Sequence, residues 1–143
     1  MRIKLMCLTF VVAAGAAFAH QGAMGVVKER MDAMGRVQGD AKVIGQMLRG
    51  QTVFDADAAR AALDRLVEEA RAIPGHFEVR DVSAPSEARE LIWTEFDAFS
   101  GLADEMAYAA MGPADTPEAL RQTFIAVGAA CGACHEKYRA KTD

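Results

Sequence analysis

Apolar residues recur at intervals of three or four along most of the chain, and polar residues fill the positions between them. This period is that of one face of an α-helix, and no segment shows the sustained alternation typical of a β-strand. Four such segments are separated by short stretches that contain glycine or proline. The pattern therefore predicts an all-α protein, an antiparallel up-down-up-down four-helix bundle.

Local signals give the approximate ends of the first two helices. The first is predicted from about Met24 to Arg49, because Gly50 is a typical residue just after a helix. Asp55 is a favourable N-cap for the second, and Pro74-Gly75 is predicted to end it. An irregular stretch of about 75–85 follows.

The third and fourth helices have equally clear signals. Ser86 is predicted to cap the third helix, which Gly112-Pro113 ends. Thr116 followed by Pro117 predicts the start of the fourth, because proline is favoured at the first helical position. The apolar stripe of the fourth helix contains Leu120, Phe124, Val127, Cys131, Cys134 and Tyr138.

The first 19 residues predict a cleaved signal peptide. Arg2 and Lys4 precede an apolar run from Leu5 to Phe18, and Ala19 completes a small-x-small cleavage pattern. The run is shorter than the ~20 residues of a membrane-spanning helix. We therefore expect export to the periplasm and one mature domain, residues 20–143, without a membrane span.

The net charge of the chain limits the classes of binding partner that we expect. The sequence has 16 basic and 20 acidic residues, a net charge of −4. Loss of Arg2 and Lys4 with the signal peptide would leave 14 basic residues and a net charge of −6. An acidic chain argues against nucleic acid and anionic membranes as partners, and it suits docking on basic surfaces.

Two of the three cysteines remain in the mature chain, and they form the motif Cys131-Gly132-Ala133-Cys134-His135. A C-x-x-C pair in an exported protein is compatible with a disulfide, a redox dithiol, half of a zinc site or a haem attachment site. On a helix Cys131 and Cys134 lie one above the other, and His135 is one turn past Cys131.

Haem explains this motif best. A thioredoxin-like dithiol lies at a helix N-terminus beside strands, whereas this pair is near the end of a predicted helix. Zinc needs four ligands, and only His20 and His76 remain as further histidines. A simple disulfide would leave His135 unexplained. The motif therefore predicts one covalently bound haem c, with His135 as an iron ligand.

Several segments together resemble one family. Residues 131–139 look like the C-x-x-C-H-x-x-aromatic-basic ending of the class II c-type cytochromes. Residues 50–55 are similar to that family's glycine-to-aromatic-Asp junction, and Ile92-Trp93 resembles its Ile-Trp pair. Over its whole mature length the chain resembles this family, the cytochromes c′ and their low-spin relatives.

The resemblance implies roles for residues of the first helix. Alignment on the junction places Arg30 on the family's arginine beside the haem propionates. It places Met34 at the distal position, where low-spin relatives carry a methionine ligand, and Met31 is a weaker candidate on the same stripe. Tyr138 is expected against the haem edge or the core. A thioether ligand raises the reduction potential and suits reversible electron transfer.

We thus predict a mono-haem electron carrier that exchanges electrons with redox protein partners and needs no catalytic residues. The alternative is a five-coordinate cytochrome c′ that binds nitric oxide or carbon monoxide at an open distal face. A peroxidase-like enzyme is disfavoured, because the inward stripe of the first helix is predicted to be apolar, without an acid-base group. Family members often form homodimers through the first two helices, an assembly that no residue of this sequence establishes.

Overall fold

The computed structural model describes residues 23–141, and every regular element within them is a helix. The helices are α1 (Gly25–Leu48), α2 (Ala56–His76), α3 (Leu91–Thr94), α4 (Phe96–Ala110) and α5 (Pro117–Tyr138). Because α3 is a single turn, four long helices form the bundle, which confirms the predicted all-α class. The predicted signal peptide lies outside the described residues.

Contacts between helix ends show that consecutive long helices run antiparallel. Arg30 near the start of α1 binds a carbonyl oxygen at the end of α2, at 2.8 Å. The Phe99 ring near the start of α4 meets the Tyr138 ring at the end of α5, with centroids 5.3 Å apart. One end of the bundle therefore gathers the segments 25–34, 70–77, 91–99 and 131–138, and we call it the motif end.

The predicted caps of the second and fourth long helices are confirmed. The Asp55 side chain accepts a hydrogen bond from the Ala58 amide at 2.9 Å, and Thr116 accepts one from the Ala119 amide at 3.1 Å. The chain leaves α1 through Gly50, whose φ of +67° lies in the left-handed region that glycine adopts without steric cost.

The prediction that Pro74-Gly75 ends the second helix is wrong, because α2 continues to His76. Proline lacks an amide hydrogen, so at position 74 it costs the last turn of the helix one hydrogen bond. The Phe77 amide then donates to the Pro74 carbonyl at 2.9 Å and closes that turn. His76 thereby belongs to a helix and not to the irregular stretch predicted from about residue 75.

The predicted start of the third helix at Ser86 is wrong as well. The Ser86 hydroxyl oxygen accepts only from the Ala88 amide, at 3.3 Å, and residues 86–90 are not helical. This segment pairs instead with the chain that leaves α5. The Arg89 amide donates to the Tyr138 carbonyl at 2.9 Å, and the Ala140 amide donates to the Glu87 carbonyl at 2.7 Å. Such pairing requires extended backbone, so the helix begins later.

The core is made of apolar side chains from all five helices, with aromatic rings at the motif end. Five large side chains are almost completely buried: Ile44, Leu63, Leu66, Ile92 and Leu120. Small residues let α2 and α4 approach closely, and Ala59, Ala62, Ala70 and Ala110 have no exposed surface. Burial of these faces stabilises the bundle through the hydrophobic effect.

One glycine is required by packing between α4 and α5. A Cβ at Gly112 would lie 2.5 Å from the Thr123 hydroxyl oxygen, which already donates to the Pro113 carbonyl at 2.7 Å. A Cβ at Gly101, within α4, would meet nothing within 4 Å.

We therefore expect Gly112→Ala to lower the free energy of unfolding by about 2 kcal/mol, because a side chain is forced into filled space. Gly101→Ala is the matched control and should raise stability by roughly 0.5–1 kcal/mol through helix propensity. Urea denaturation measures both. Equal effects of the two substitutions would contradict the close packing at Gly112.

Candidate functional site

The motif end brings together the site residues that the sequence predicts. Arg30 and Met34 lie in the first three turns of α1, and Cys131, Cys134 and His135 lie in the last two turns of α5. Because the helices are antiparallel, these segments share one end of the bundle.

The cysteine pair lies near the end of α5. Cys131 and Cys134 are half-buried and pack against the core. Burial raises the pKa of both, and the neighbouring Cys131 raises that of Cys134 further. A redox dithiol needs the opposite shift, because its reactive form is the thiolate. The electrostatics thus speak against a thioredoxin-like function.

His135 lies beside this pair at the surface of α5. Desolvation by the surrounding protein lowers its pKa, and repulsion from the Arg139 guanidinium lowers it further, while Glu87 acts in the opposite direction. A lowered pKa favours the neutral imidazole, which is the form that binds a metal ion. The environment of His135 therefore suits an iron ligand.

Arg30 is the most constrained polar residue of the motif end. It is only 5% exposed. Its three nitrogens donate to backbone carbonyls: Nε to His76 at 2.8 Å, Nη1 to Asp81 at 2.6 Å, and Nη2 to Val79. The guanidinium carbon also lies 4.4 Å from the centre of the Phe77 ring. Arg30 thus fixes the chain that follows α2 against α1.

The charge of Arg30 has no ion-pair partner among residues 23–141. Burial lowers its pKa, and the charge of the Asp81 carboxylate acts in the opposite direction. That carboxylate accepts hydrogen bonds from the Ser83 amide and hydroxyl. A buried charge is costly unless an opposite charge offsets it. Of the five guanidinium N–H groups, three serve the carbonyls, so two are left for an anion.

Arg30 also corrects one expectation about α1. The inward stripe was predicted to be apolar, but Arg30 and Asp40 are both buried on this helix. Arg65 of α2 pairs with Asp40 at 2.7 Å, which explains how a carboxylate is tolerated there. The apolar pattern did not predict the burial of either residue, because charged side chains count as surface positions by type.

Aromatic rings pack around the guanidinium and form the wall of the motif end. Phe77 and Phe99 meet edge to face with centroids 4.9 Å apart, and Phe99 meets Tyr138 at 5.3 Å and 89°. The indole N–H of Trp93 donates to the Phe77 carbonyl at 2.7 Å. Phe77 was missed by sequence reasoning, although it continues the apolar stripe of α2 one turn past Ile73.

Tyr138 is a core residue of this cluster, only 3% exposed. Its hydroxyl donates to the Glu95 carboxylate at 3.1 Å, and the same carboxylate accepts from Lys137 at 2.5 Å. Glu95 stands at the break between α3 and α4 and was not predicted from the sequence. It ties the last turn of α5 to the start of α4. Contact of Tyr138 with a haem edge remains a prediction.

Met34 is half-buried and packs against the core, as does Val37 one turn later. Met31 is also half-buried, but it is not among the residues packed against the core. Met34 therefore lies on the inward side of α1, one turn past Arg30. The structure distinguishes the two methionines by packing, which their similar spacing in the sequence could not do.

The sequence of this domain matches that of a known family. The sequence model described as Cytochrome C′ matches residues 25–139. The chain belongs to the cytochrome c′ family. It is also 32% identical over 119 residues to a cytochrome c-556 of Agrobacterium tumefaciens (strain apple 185), covering 80% of this chain and 94% of the relative. That name is consistent with the predicted likeness to low-spin, methionine-ligated members.

Solved structures show the same fold. Cytochrome c′ from Rhodopseudomonas palustris has a TM-score of 0.75 at 22% identity, covering 85% of this chain and 100% of that protein. A structure of oxidized cytochrome c556 from R. palustris has a TM-score of 0.71 at 24% identity, covering 82% and 98%. Both kinds of cytochrome share this fold, so individual residues must decide between them.

Membership of the cytochrome c′ family implies one covalently bound haem c, and the motif end fits it. The two half-buried thiols are placed for thioether bonds, and the neutral imidazole of His135 for iron. The guanidinium of Arg30 has two N–H groups beyond those bound to carbonyls, and these could bind a carboxylate of the haem. Among residues 23–141, no helix is long and apolar enough to cross a membrane, and no cluster of His, Cys, Asp and Glu forms a separate metal site.

The contacts of Glu95 with Lys137 and Tyr138, which we call the Glu95 bridge, predict that acid destabilises the motif end. Hydrogen bonds from Lys137 and Tyr138 lower the pKa of Glu95 below its ordinary value of 4.5. The stabilisation is therefore complete above that value and is lost as the pH falls through the lower pKa of the folded state. Glu95→Gln should reduce the free energy of unfolding at pH 7, and the difference from wild type should shrink as the pH falls below 4.5.

Urea denaturation of both proteins across this pH range measures the effect. Glu136→Gln is the matched control, because Glu136 is an exposed residue of α5 that makes no ion pair in the described chain. A Glu95→Gln effect that does not change with pH would show that the carboxylate charge contributes nothing to the bridge.

Proposed function

We propose that this protein is a periplasmic electron carrier with one low-spin haem c. Cys131 and Cys134 attach the haem, His135 is the proximal iron ligand and Met34 is the distal ligand. The observation that carries the proposal is the inward packing of Met34 at the motif end, one turn past a buried and unpaired Arg30. The haem iron, when bound, supplies one-electron exchange between the ferric and ferrous states.

The chain's own residues account for the ligand set. The thioether of Met34 is a soft, neutral donor, and its long unbranched side chain adapts to a partner without moving the helix. Ala33 beside it is 1% exposed, so α1 is held firmly against its neighbours at this level. Electron transfer benefits from such a rigid setting, because little rearrangement then accompanies the change of charge.

Arg30 is proposed to bind a haem propionate with the two N–H groups that the carbonyls leave over. Its position is set by α1, by the last turn of α2 and by the segment 77–81. A propionate would offset the desolvation by burial that lowers the Arg30 pKa. The guanidinium would thus hold the segment after α2 in place and also bind the cofactor.

We further propose that the protein is exported and that it docks on redox partner proteins. The apolar segment at residues 5–18 supports export through a cleaved signal peptide of residues 1–19. The acidic mature chain supports docking on basic surfaces of redox partner proteins.

A homodimer through α1 and α2 is proposed only by analogy with the family. We assign no catalytic role, since the buried arginine of α1 is already bound to three carbonyls.

The second candidate is a five-coordinate cytochrome c′ that binds nitric oxide or carbon monoxide. The structural similarity to R. palustris cytochrome c′ is what favours it. It requires that Met34 pack beside the iron without binding it. The two candidates differ in a single bond, so a substitution of this methionine separates them.

Met34→Ala should convert the haem protein from low spin to high spin and allow carbon monoxide to bind, because the sixth position becomes open. Met31→Ala is the matched control and should keep the spectrum of the wild-type protein. Absorption spectra of both oxidation states, with and without carbon monoxide, measure this. Carbon monoxide binding by the wild-type protein as readily as by Met34→Ala would favour the gas-binding candidate. A change in Met31→Ala alone would identify Met31 as the ligand.

A further inference from the structure

His76 carries the one buried side-chain nitrogen or oxygen without a hydrogen-bond partner in the described part of the chain. The atom is Nε2 of its imidazole ring. Buried polar atoms in folded proteins are nearly always paired, and an unpaired one needs an explanation. His76 is the last residue of α2, and nothing in the proposed function uses its side chain.

The ring of His76 lies on the inward side of α2. It follows Ile73 by three residues, and Ile73 and Ala70 continue the buried stripe of the helix. The backbone carbonyl of His76 accepts from Arg30 Nε at 2.8 Å, and the next ring along the chain, Phe77, lies under the guanidinium. The unpaired nitrogen thus belongs to the same end of the bundle as the buried cation.

The charge of Arg30 indicates what kind of group would satisfy Nε2. A neutral imidazole nitrogen either donates or accepts one hydrogen bond. A cationic donor would be repelled by Arg30, whereas an anionic acceptor is attracted by it and receives the Nε2–H. The Asp81 carboxylate, whose charge acts on Arg30, already accepts from Ser83. A haem carboxylate is the other anion that the proposed function brings to this end of the bundle.

We infer that His76 Nε2–H donates a hydrogen bond to a haem propionate, as a second anchor beside Arg30. Together the two residues hold one carboxylate between the end of α2 and the start of α1. His76 is a cofactor-binding residue in this arrangement and has no part in iron ligation. The inference needs the haem but not the bond between Met34 and iron, so a high-spin spectrum would overturn the proposed ligand set and leave this inference standing.

Redox-induced infrared difference spectra of the haem-loaded protein test the inference, with the propionate band assigned by ¹³C labelling of the haem carboxylates. His76→Leu should shift the propionate band, because the carboxylate loses a donor. His76→Gln places an amide N–H near the position of Nε2 and should keep the wild-type band. His76→Asn places it near Nδ1 and should behave as His76→Leu does.

An unchanged band in all three variants would overturn the inference, and so would equal bands for His76→Gln and His76→Leu. A measurement on the wild-type protein removes any dependence on how the variants fold. Ring ¹⁵N chemical shifts of His76 should show that Nε2 carries the proton. A neutral ring protonated on Nδ1 alone would contradict the inference, since Nε2 could then donate nothing.

Discussion

The buried positive charge of Arg30 is the interaction on which the motif end depends. Its guanidinium is held by three carbonyls after α2 and stacks on Phe77. These contacts replace water as hydrogen-bond partners, but carbonyl dipoles do not neutralise a full charge. Among residues 23–141 this cation has hydrogen-bond partners but no ion pair, and a carboxylate of the proposed haem would supply one.

The antiparallel order of the helices places Arg30 close to the other residues of the candidate haem site. It brings the start of α1, with Arg30 and Met34, to the end of α5, with the cysteine motif. The Glu95 bridge to Lys137 and Tyr138, and the pairing of residues 87–89 with the chain after α5, fix the last turn of that helix. Attachment and ligation thus come from two helices that other contacts already hold in place.

Much of this could be predicted from the sequence, because helical periodicity, two side-chain caps and a five-residue motif are local signals. One failure has a local cause, and the others depend on contacts between distant segments. α2 continues through Pro74 because its last turn is closed by the next residues, and the third helix starts late because residues 87–89 pair with a segment about 50 residues away. The burial of Arg30 and of the His76 ring nitrogen likewise depends on neighbours that only the folded chain supplies.

The near-infrared spectrum of the ferric wild-type protein tests whether the Met34 thioether and the His135 imidazole both bind the iron, as proposed. We expect the sulfur-to-iron charge-transfer band of a methionine-ligated, low-spin haem at neutral pH. A ferric spectrum without this band and with high-spin features would overturn the proposed ligand set. It would show that Met34, although packed inward, leaves the iron with an open face.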